Sequence, residues 1–310
     1  MSERTPEYLL LNGEIVPFAE AKVHILTPAF KFGASVFEGI RAYWNAEEEQ
    51  LYIFRLDAHT RRLHQSAKIM RMEMSELVHQ LNGKTIELVR KNDLREDCHI
   101  RQVLFVNSIR RSGLTQTGPV GTFVAGYPRG RPFTGKGDEG IHCCVSSWRR
   151  ISDNAIPPRI KCGANYQNAR LILLQAELDG YDGAIVLNEA GKVSEDPRAC
   201  FFMVRDGVPI TPPVTSNILE SVTRATVIQL FQEVHGVEVQ VRDIDRTELY
   251  VADEAFLCGS GFEITPIVSV DKHQVGEGVL GPLTEQIRET YFRVVRGEVP
   301  LHPEWRTPVY

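Results

Sequence analysis

The chain has 310 residues, 43% of them hydrophobic and 24% charged, an ordinary balance for a soluble globular protein long enough to bury a substantial core or two. A formal net charge of −5 gives no electrostatic reason to expect nucleic acid or an anionic membrane surface as a partner. No apolar run approaches the roughly 20 residues that span a bilayer, and the opening Met-Ser-Glu-Arg-Thr-Pro-Glu lacks the basic-then-apolar profile of a signal peptide, so a cytoplasmic protein is expected.

In chain order, residues 8–25 read as a short hairpin, Tyr-Leu-Leu-Leu and Glu-Ile-Val-Pro around the turn signal Asn12-Gly13. Ala34–Tyr43 and Leu51–Arg55 have strand character, Leu56–Ile69 and Ser75–Lys91 helical character, and His99–Ile109 and Thr122–Tyr127 add two strands. This mixture predicts a small N-terminal α+β domain over 1–128. The Gly-, Pro- and charge-rich segment 129–140 defeats both patterns and marks an interdomain loop. Its stretch 130–137 nearly spells a phosphate-binding loop, but Gly137 stands where a Ser or Thr would hold magnesium and a strand-like segment follows, so no nucleotide is expected there. From 141 to 310 a larger domain alternates strands at Ile141–Ser147, Gly183–Leu187, Phe201–Val204 and Glu238–Val241 with helices at 165–179 and 221–235. The second helix carries Val227, Leu230, Phe231 and Val234 on one face and stops at Gly236. The fold class is therefore mixed α/β in two domains. The six cysteines (98, 143, 144, 162, 200, 258) include no C-x-x-C pair and no Cys/His spacing suited to zinc, so they read as reduced structural thiols, and no metal site is expected.

Two residues stand out chemically. Lys161 follows the stiff Ile156-Pro-Pro-Arg-Ile160 segment and precedes a helical stretch beginning near Asn165, so its amine projects from a fixed turn. Glu195 closes a run from Gly183 that reads as strand, Asn-Glu-Ala-Gly turn and strand, which places a carboxylate on a sheet. With Ala34-Ser-Val-Phe-Glu-Gly-Ile-Arg41, Arg62-Leu-His-Gln-Ser-Ala-Lys-Ile69, Ile100-Arg101, Val145-Ser-Ser-Trp148, Thr211-Pro-Pro213, Val222-Thr-Arg224 and Gly259-Ser-Gly-Phe-Glu-Ile-Thr-Pro266, these form a collinear series over nearly the whole chain. In that order and spacing the chain resembles the fold-type IV pyridoxal-phosphate enzymes, most closely the branched-chain amino acid aminotransferases.

The resemblance implies a D-amino-acid-aminotransferase-like fold with pyridoxal 5'-phosphate as cofactor, an amino acid and a 2-oxo acid as partners, and a homodimer or higher homo-oligomer. Lys161 is implied as the attaching lysine and proton shuttle. Glu195 would pair with the ring nitrogen and Tyr166 with the ring oxygen. Arg62, Ser221, Val222, Thr223 and Ser260 would receive the phosphate through a guanidinium, hydroxyls and the amides of a helix N-terminus. Phe37, Gly39, Arg101, Arg129 and Gly261 are carried over to the substrate side.

The departures concern that side. Where the family has a glycine-rich Gly-x-Gly-Glu-Asn after Ser-Glu, this chain has Asp196-Pro-Arg-Ala-Cys200, which adds Arg198 to the substrate set by position. Phe32, His99 and Arg129 stand where the family has tyrosine or another aromatic residue. Added cations favour a dicarboxylic partner such as glutamate or 2-oxoglutarate. They are equally compatible with a D-amino-acid or (R)-amine transaminase on the same fold. A lyase similar to aminodeoxychorismate lyase and a non-catalytic binding module are the further alternatives.

Overall fold

The computed structural model describes residues 5–109, 113–131 and 139–310. The chain divides into two compact units: Met1–Gly130 with Ile160–Ala164 and Arg293–Tyr310, and Arg131–Arg159 with Asn165–Phe292. Residues 132–138, and with them most of the expected interdomain loop and of the phosphate-loop-like stretch, lie outside the described residues.

The first unit contains β1 (Tyr8–Leu11), β2 (Glu14–Pro17), α1 (Pro28–Phe32), β3 (Ser35–Asn45), β4 (Gln50–Phe54), α2 (Leu56–Ile69), α3 (Glu76–His79), α4 (Leu81–Lys91), β5 (Cys98–Val106) and β6 (Val120–Pro128). The second contains β7 (Ile141–Arg149), α5 (Tyr166–Leu178), β8 (Gly183–Leu187), β9 (Cys200–Arg205), β10 (Val208–Thr211), α6 (Val222–His235), β11 (Gln240–Val241), β12 (Glu254–Gly259), β13 (Glu263–Val270) and β14 (His273–Gln274). α7 (Pro282–Arg296) then leads the chain back to the first unit, where β15 (Arg306–Pro308) ends it.

Seven strands of the first unit form a sheet in the order β15-β4-β3-β5-β6-β1-β2. The hairpin β1–β2 turns through Asn12 and Gly13 at φ 50° and 87°, the left-handed pair that a two-residue hairpin turn requires. β3 is buried on both faces from Val36 to Tyr43, since its even-numbered side chains meet helices while its odd-numbered ones face the other way. α2 turns Leu56, His59, Thr60, Leu63, Ser66 and Ala67 inward at helical spacing, and Arg62 is buried with them. The expected helix Ser75–Lys91 is divided into α3 and α4 at Gln80, whose φ −83° and ψ −2° close one helix and open the next.

In the second unit the order is β11-β10-β9-β12-β13-β7-β8, with β14 on β13. β13, β7 and β8 run parallel, while β9, β10, β12 and β13 pair antiparallel. Phe201, Met203, Leu257, Ile185, Ile141 and Leu249 form its core, and Phe202 stacks on Phe256 at 4.9 Å. On α6, Val227, Leu230 and Phe231 are buried as expected, but Val234 is 40% exposed because it lies at the edge of the apolar stripe. The helix ends at Gly236 in the left-handed conformation (φ 65°). The expected strand before Glu195 is only a set of isolated bridges, Leu187↔Val193 and Lys192↔Asp245, although Ser194 and Glu195 exchange backbone hydrogen bonds with Val186.

The division by contacts differs from the expected 1–128 and 141–310 at two segments. Ile160–Ala164 joins the first unit because Cys162 bridges Val36, and the C-terminus does so because β15 pairs with β4.

Candidate active site

In the first unit the main chain fixes Lys161. Its carbonyl accepts the Phe37 N–H at 2.9 Å and its own N–H donates to Ser66 Oγ at 3.2 Å. The flanking Cys162 is pinned to Val36, so the side chain leaves a braced segment, and Nζ comes to 5.2 Å from the centre of the Phe37 ring. The register of β3 on β5 sets Gly39 opposite Arg101 and Arg41 opposite His99. Directly paired residues share a face, so Phe37, Gly39, Arg41, His99 and Arg101 line one side of the sheet. The Arg101 guanidinium lies 4.7 Å from the same Phe37 ring. Gly39 carries no side chain for a local reason: a Cβ there would stand 3.0 Å from His99 Cε1. Arg129 is exposed; its N–H donates to the Asp97 carbonyl at 2.9 Å and its carbonyl accepts Arg41 Nη1 at 2.7 Å. The structure thus brings Lys161, Phe37, Gly39 and Arg101 together and adds Arg41 and His99. Their signal in the sequence was the two-residue spacing along each strand.

Arg62 is committed to a partner that the sequence reading did not assign a role. From α2 its Nε donates to Glu38 Oε1 at 2.7 Å and its Nη2 to Oε2 at 2.6 Å, a two-pronged pair in which Glu38 has 0% exposure. His59, one turn earlier, places Nδ1 at 2.7 Å from Glu38 Oε2. Burial pushes the Glu38 carboxyl up, but the Arg62 charge and the His59 hydrogen bond outweigh it and hold the group at about 2. Burial also depresses His59, so the ring is neutral and donates through Nδ1–H. Glu38 leaves β3 on the face opposite Phe37 and Gly39.

In the second unit, Glu195 is a buried carboxylate, 3% exposed. Its Oε1 accepts Arg150 Nη2 at 2.7 Å and the Leu219 N–H at 3.1 Å, and the Cys200 thiol approaches Oε2 at 3.5 Å. Burial drives the Cys200 thiol well above its ordinary range, which keeps it protonated and a donor. Arg150, Leu219 and Cys200 were given no role from sequence, because nothing in local spacing joins them to Glu195. Tyr166 opens α5 and is half-buried. Ser221 caps α6, its hydroxyl accepting the Arg224 N–H at 3.2 Å, with Val222 and Thr223 buried in the first turn. Arg224 ties this helix start to Thr211 Oγ1 (3.1 Å) and the Pro212 carbonyl (2.9 Å). Ser260 and Gly261 form the turn between β12 and β13, closed by a 3.0 Å bond from Phe262 N–H to the Gly259 carbonyl. Arg198 is exposed; its N–H donates to Asp196 Oδ1 at 2.8 Å, its Nε lies 3.8 Å from the same oxygen, and its guanidinium covers the Phe262 ring at 4.9 Å.

Known proteins resemble this chain along nearly its whole length. The model of the family described as amino-transferase class IV matches residues 35–270. A chain of Aquifex aeolicus named "Probable branched-chain-amino-acid aminotransferase" is 41% identical over 306 residues, 98% of this chain and 97% of its own length. The branched-chain amino acid aminotransferase of Thermobaculum terrenum, solved in its PLP form, superposes with a TM-score of 0.92 at 45% identity, covering 99% of each chain. The branched-chain aminotransferase of Thermoproteus uzoniensis, solved with norvaline, gives a TM-score of 0.93 at 39% identity over 98% of this chain and 100% of that one.

Proposed function

The chain belongs to the amino-transferase class IV family, and from that premise we propose that it is a pyridoxal-phosphate-dependent aminotransferase. It moves an amino group between an aliphatic, branched-chain-type amino acid and a 2-oxo acid such as 2-oxoglutarate. The observation that carries this reading is the buried Glu195 carboxylate, fixed in place by the Arg150 guanidinium and the Leu219 N–H. A carboxylate fixed in this way suits a protonated pyridine nitrogen.

The rest of the donor set fits the same group. The resemblance carries over Lys161, Arg62, Tyr166, Glu195, Ser221, Val222, Thr223 and Ser260 as the residues that would hold it. The cofactor, when bound, supplies an electron sink that makes the α-proton of an amino acid acidic. Lys161 would attach it and then, as a free amine, take the proton from the substrate α-carbon and deliver it to the cofactor carbon that carried the aldehyde. Glu195 would keep its ring nitrogen charged. The first-turn amides of α6 and the Ser221 and Ser260 hydroxyls suit a phosphate dianion. Phe37, Gly39, Arg101, Arg129, Arg198 and Gly261 would face the substrate, and the arginines suit its carboxylates.

Glu195→Gln is expected to keep the cofactor bound but slow the half-reaction by on the order of 10²-fold, because an amide cannot hold the ring nitrogen protonated. Rapid-mixing absorbance measures the rate, and a wild-type value would assign the ring nitrogen to another group. Presenting the holoenzyme with L- and D-leucine in turn decides the stereochemistry; conversion by the D-isomer alone would replace this reading with the D-amino-acid alternative. We also assign a homodimer or higher homo-oligomer, supported by large exposed apolar residues of the first unit, among them Phe30 at 76% and Ile25, Ile109 and Leu114. No helix among the described residues is long and apolar enough to cross a membrane. All six cysteines are free, which supports placing the reaction in the reducing cytoplasm.

A further inference from the structure

Two donors, Arg150 Nη2 and the Leu219 N–H, converge on Oε1 of the buried Glu195 carboxylate at 2.7 and 3.1 Å. Bonds to one oxygen fix a point, and the plane of a carboxylate is set only when both oxygens are held. The Cys200 thiol meets the second oxygen, Oε2, at 3.5 Å. This donor is itself rigid: Cys200 opens β9, lies opposite Cys258 on β12 and is 2% exposed, so the sheet places its sulfur. The same sulfur lies 3.8 Å from the Leu219 carbonyl and is bonded by the hydroxyl of Ser221, the residue that caps α6. Arg150 Nε and the Ser194 hydroxyl both donate to the Asn217 carbonyl, at 3.3 and 3.2 Å. One knot of side chains therefore ties residues 194–200 to residues 217–221, which lead into α6, and Cys200 touches both the carboxylate and the helix cap. Cys200 stands where the family pattern Gly-x-Gly-Glu-Asn ends in asparagine, so the thiol contact is a departure of this chain.

We propose that Cys200 is a positioning residue whose S–H holds Glu195 Oε2 in one orientation, so that the carboxylate is presented already aligned to the ring nitrogen of the cofactor. The assignment rests on the pyridoxal-phosphate reading and adds to it a residue that acts only through Glu195. A thiol suits the task in two ways. Burial keeps it protonated, so it stays a donor across the working pH range. A thiol is also a weak donor, so it orients the oxygen while taking little of the charge that the ring nitrogen is to meet. Held by donors on both oxygens, the carboxylate pays no reorganisation when the cofactor arrives.

The experiment measures binding of pyridoxal phosphate and of its deaza analogue, which has C–H in place of the ring nitrogen, to the cofactor-free full-length chain. The preference for pyridoxal phosphate over the analogue isolates the ring-nitrogen contact. In Cys200→Ala it is expected to fall about tenfold, and Cys200→Ser, which keeps a donor, should recover part of it. A residue that merely packs would weaken both ligands alike, so an unchanged preference in Cys200→Ala, or equal wild-type affinity for the two ligands, would overturn the assignment. Infrared spectroscopy of the cofactor-free chain supplies a second reading. The S–H band missing from Cys200→Ala should move to higher frequency in Glu195→Gln, because an amide accepts less strongly than a carboxylate. A band that stays in place would give the thiol to the Leu219 carbonyl and also overturn the assignment. Failure of the wild-type chain to bind either ligand would instead strike the pyridoxal-phosphate reading, and the infrared band would still decide whether Cys200 holds Glu195.

Discussion

Lys161→Ala is expected to lower transamination by at least about 10³-fold while leaving the chain folded. The two halves of that expectation have separate physical grounds. The contacts that fix the segment are made by the backbone, Phe37 N–H to the Lys161 carbonyl and Lys161 N–H to Ser66 Oγ, and an alanine keeps both. Only the amine over the Phe37 ring is lost, and among the described residues no other lysine amine lies over that ring. The checks are the absorbance of lysine-attached cofactor, turnover with an amino acid and 2-oxoglutarate, and far-ultraviolet circular dichroism. Normal multiple turnover in a folded variant would remove Lys161 from the chemistry.

Glu38→Ala is expected to destabilise the protein by about 3–5 kcal/mol, the largest effect on stability among the substitutions considered. The cost comes less from the lost bonds than from what remains, since Arg62 would keep its charge in a buried place without the carboxylate that balances it. Replacing the pair together, Glu38→Leu with Arg62→Met, should recover much of the loss, and urea unfolding of the single and double variants tests this. Cofactor affinity should fall in both, because the single variant frees the Arg62 guanidinium from its brace and the double variant removes it. The same cluster sets an acid limit. Glu38 is held at about 2, below its ordinary 4.5, so its contribution is complete above pH 4.5 and disappears toward pH 2. His59 and His99 are depressed below 6.5 by burial, so each stabilises the fold above that pH and loses its contribution as pH falls, His99 toward about 3. All three shifts have one sign. Stability should begin to drop below pH 6.5 and more steeply below 4.5, and a denaturation midpoint that stays level from pH 7 to 4 would contradict them.

Elements with a clear local period were legible in the sequence. Leu56–Ile69 and Gly183–Leu187 lie where the pattern put them, and Asn12-Gly13 announced its hairpin. β12 and β13 were passed over, being buried on both faces and therefore lacking alternation. α7 was passed over as well, although Ile287, Tyr291 and Val294 carry a helical period. At the candidate site, motifs named single residues but not their supports. That Glu38 serves Arg62, that Arg150 and Cys200 serve Glu195, and that His99 fills the space above Gly39 depend on register and tertiary pairing, which one strand's pattern does not encode. Arg198, singled out by position, has its guanidinium beside Asp196 and over Phe262, contacts the sequence pattern does not encode either.

The five-residue insert Ile160–Ala164 has a practical meaning for anyone cutting or recombining this gene. A fragment covering 131–292 would inherit Lys161 but not Val36, Phe37 and Ser66, the residues against which that lysine's backbone is set. Conversely, a graft of residues 1–130 onto a relative would bring the cationic sheet face without the Lys161 amine that lies over Phe37. Exchange of acceptor preference between homologues by shuffling therefore calls for three co-inherited stretches, 1–130, 160–164 and 293–310, and libraries built with a single crossover near 130 should be poor in active members.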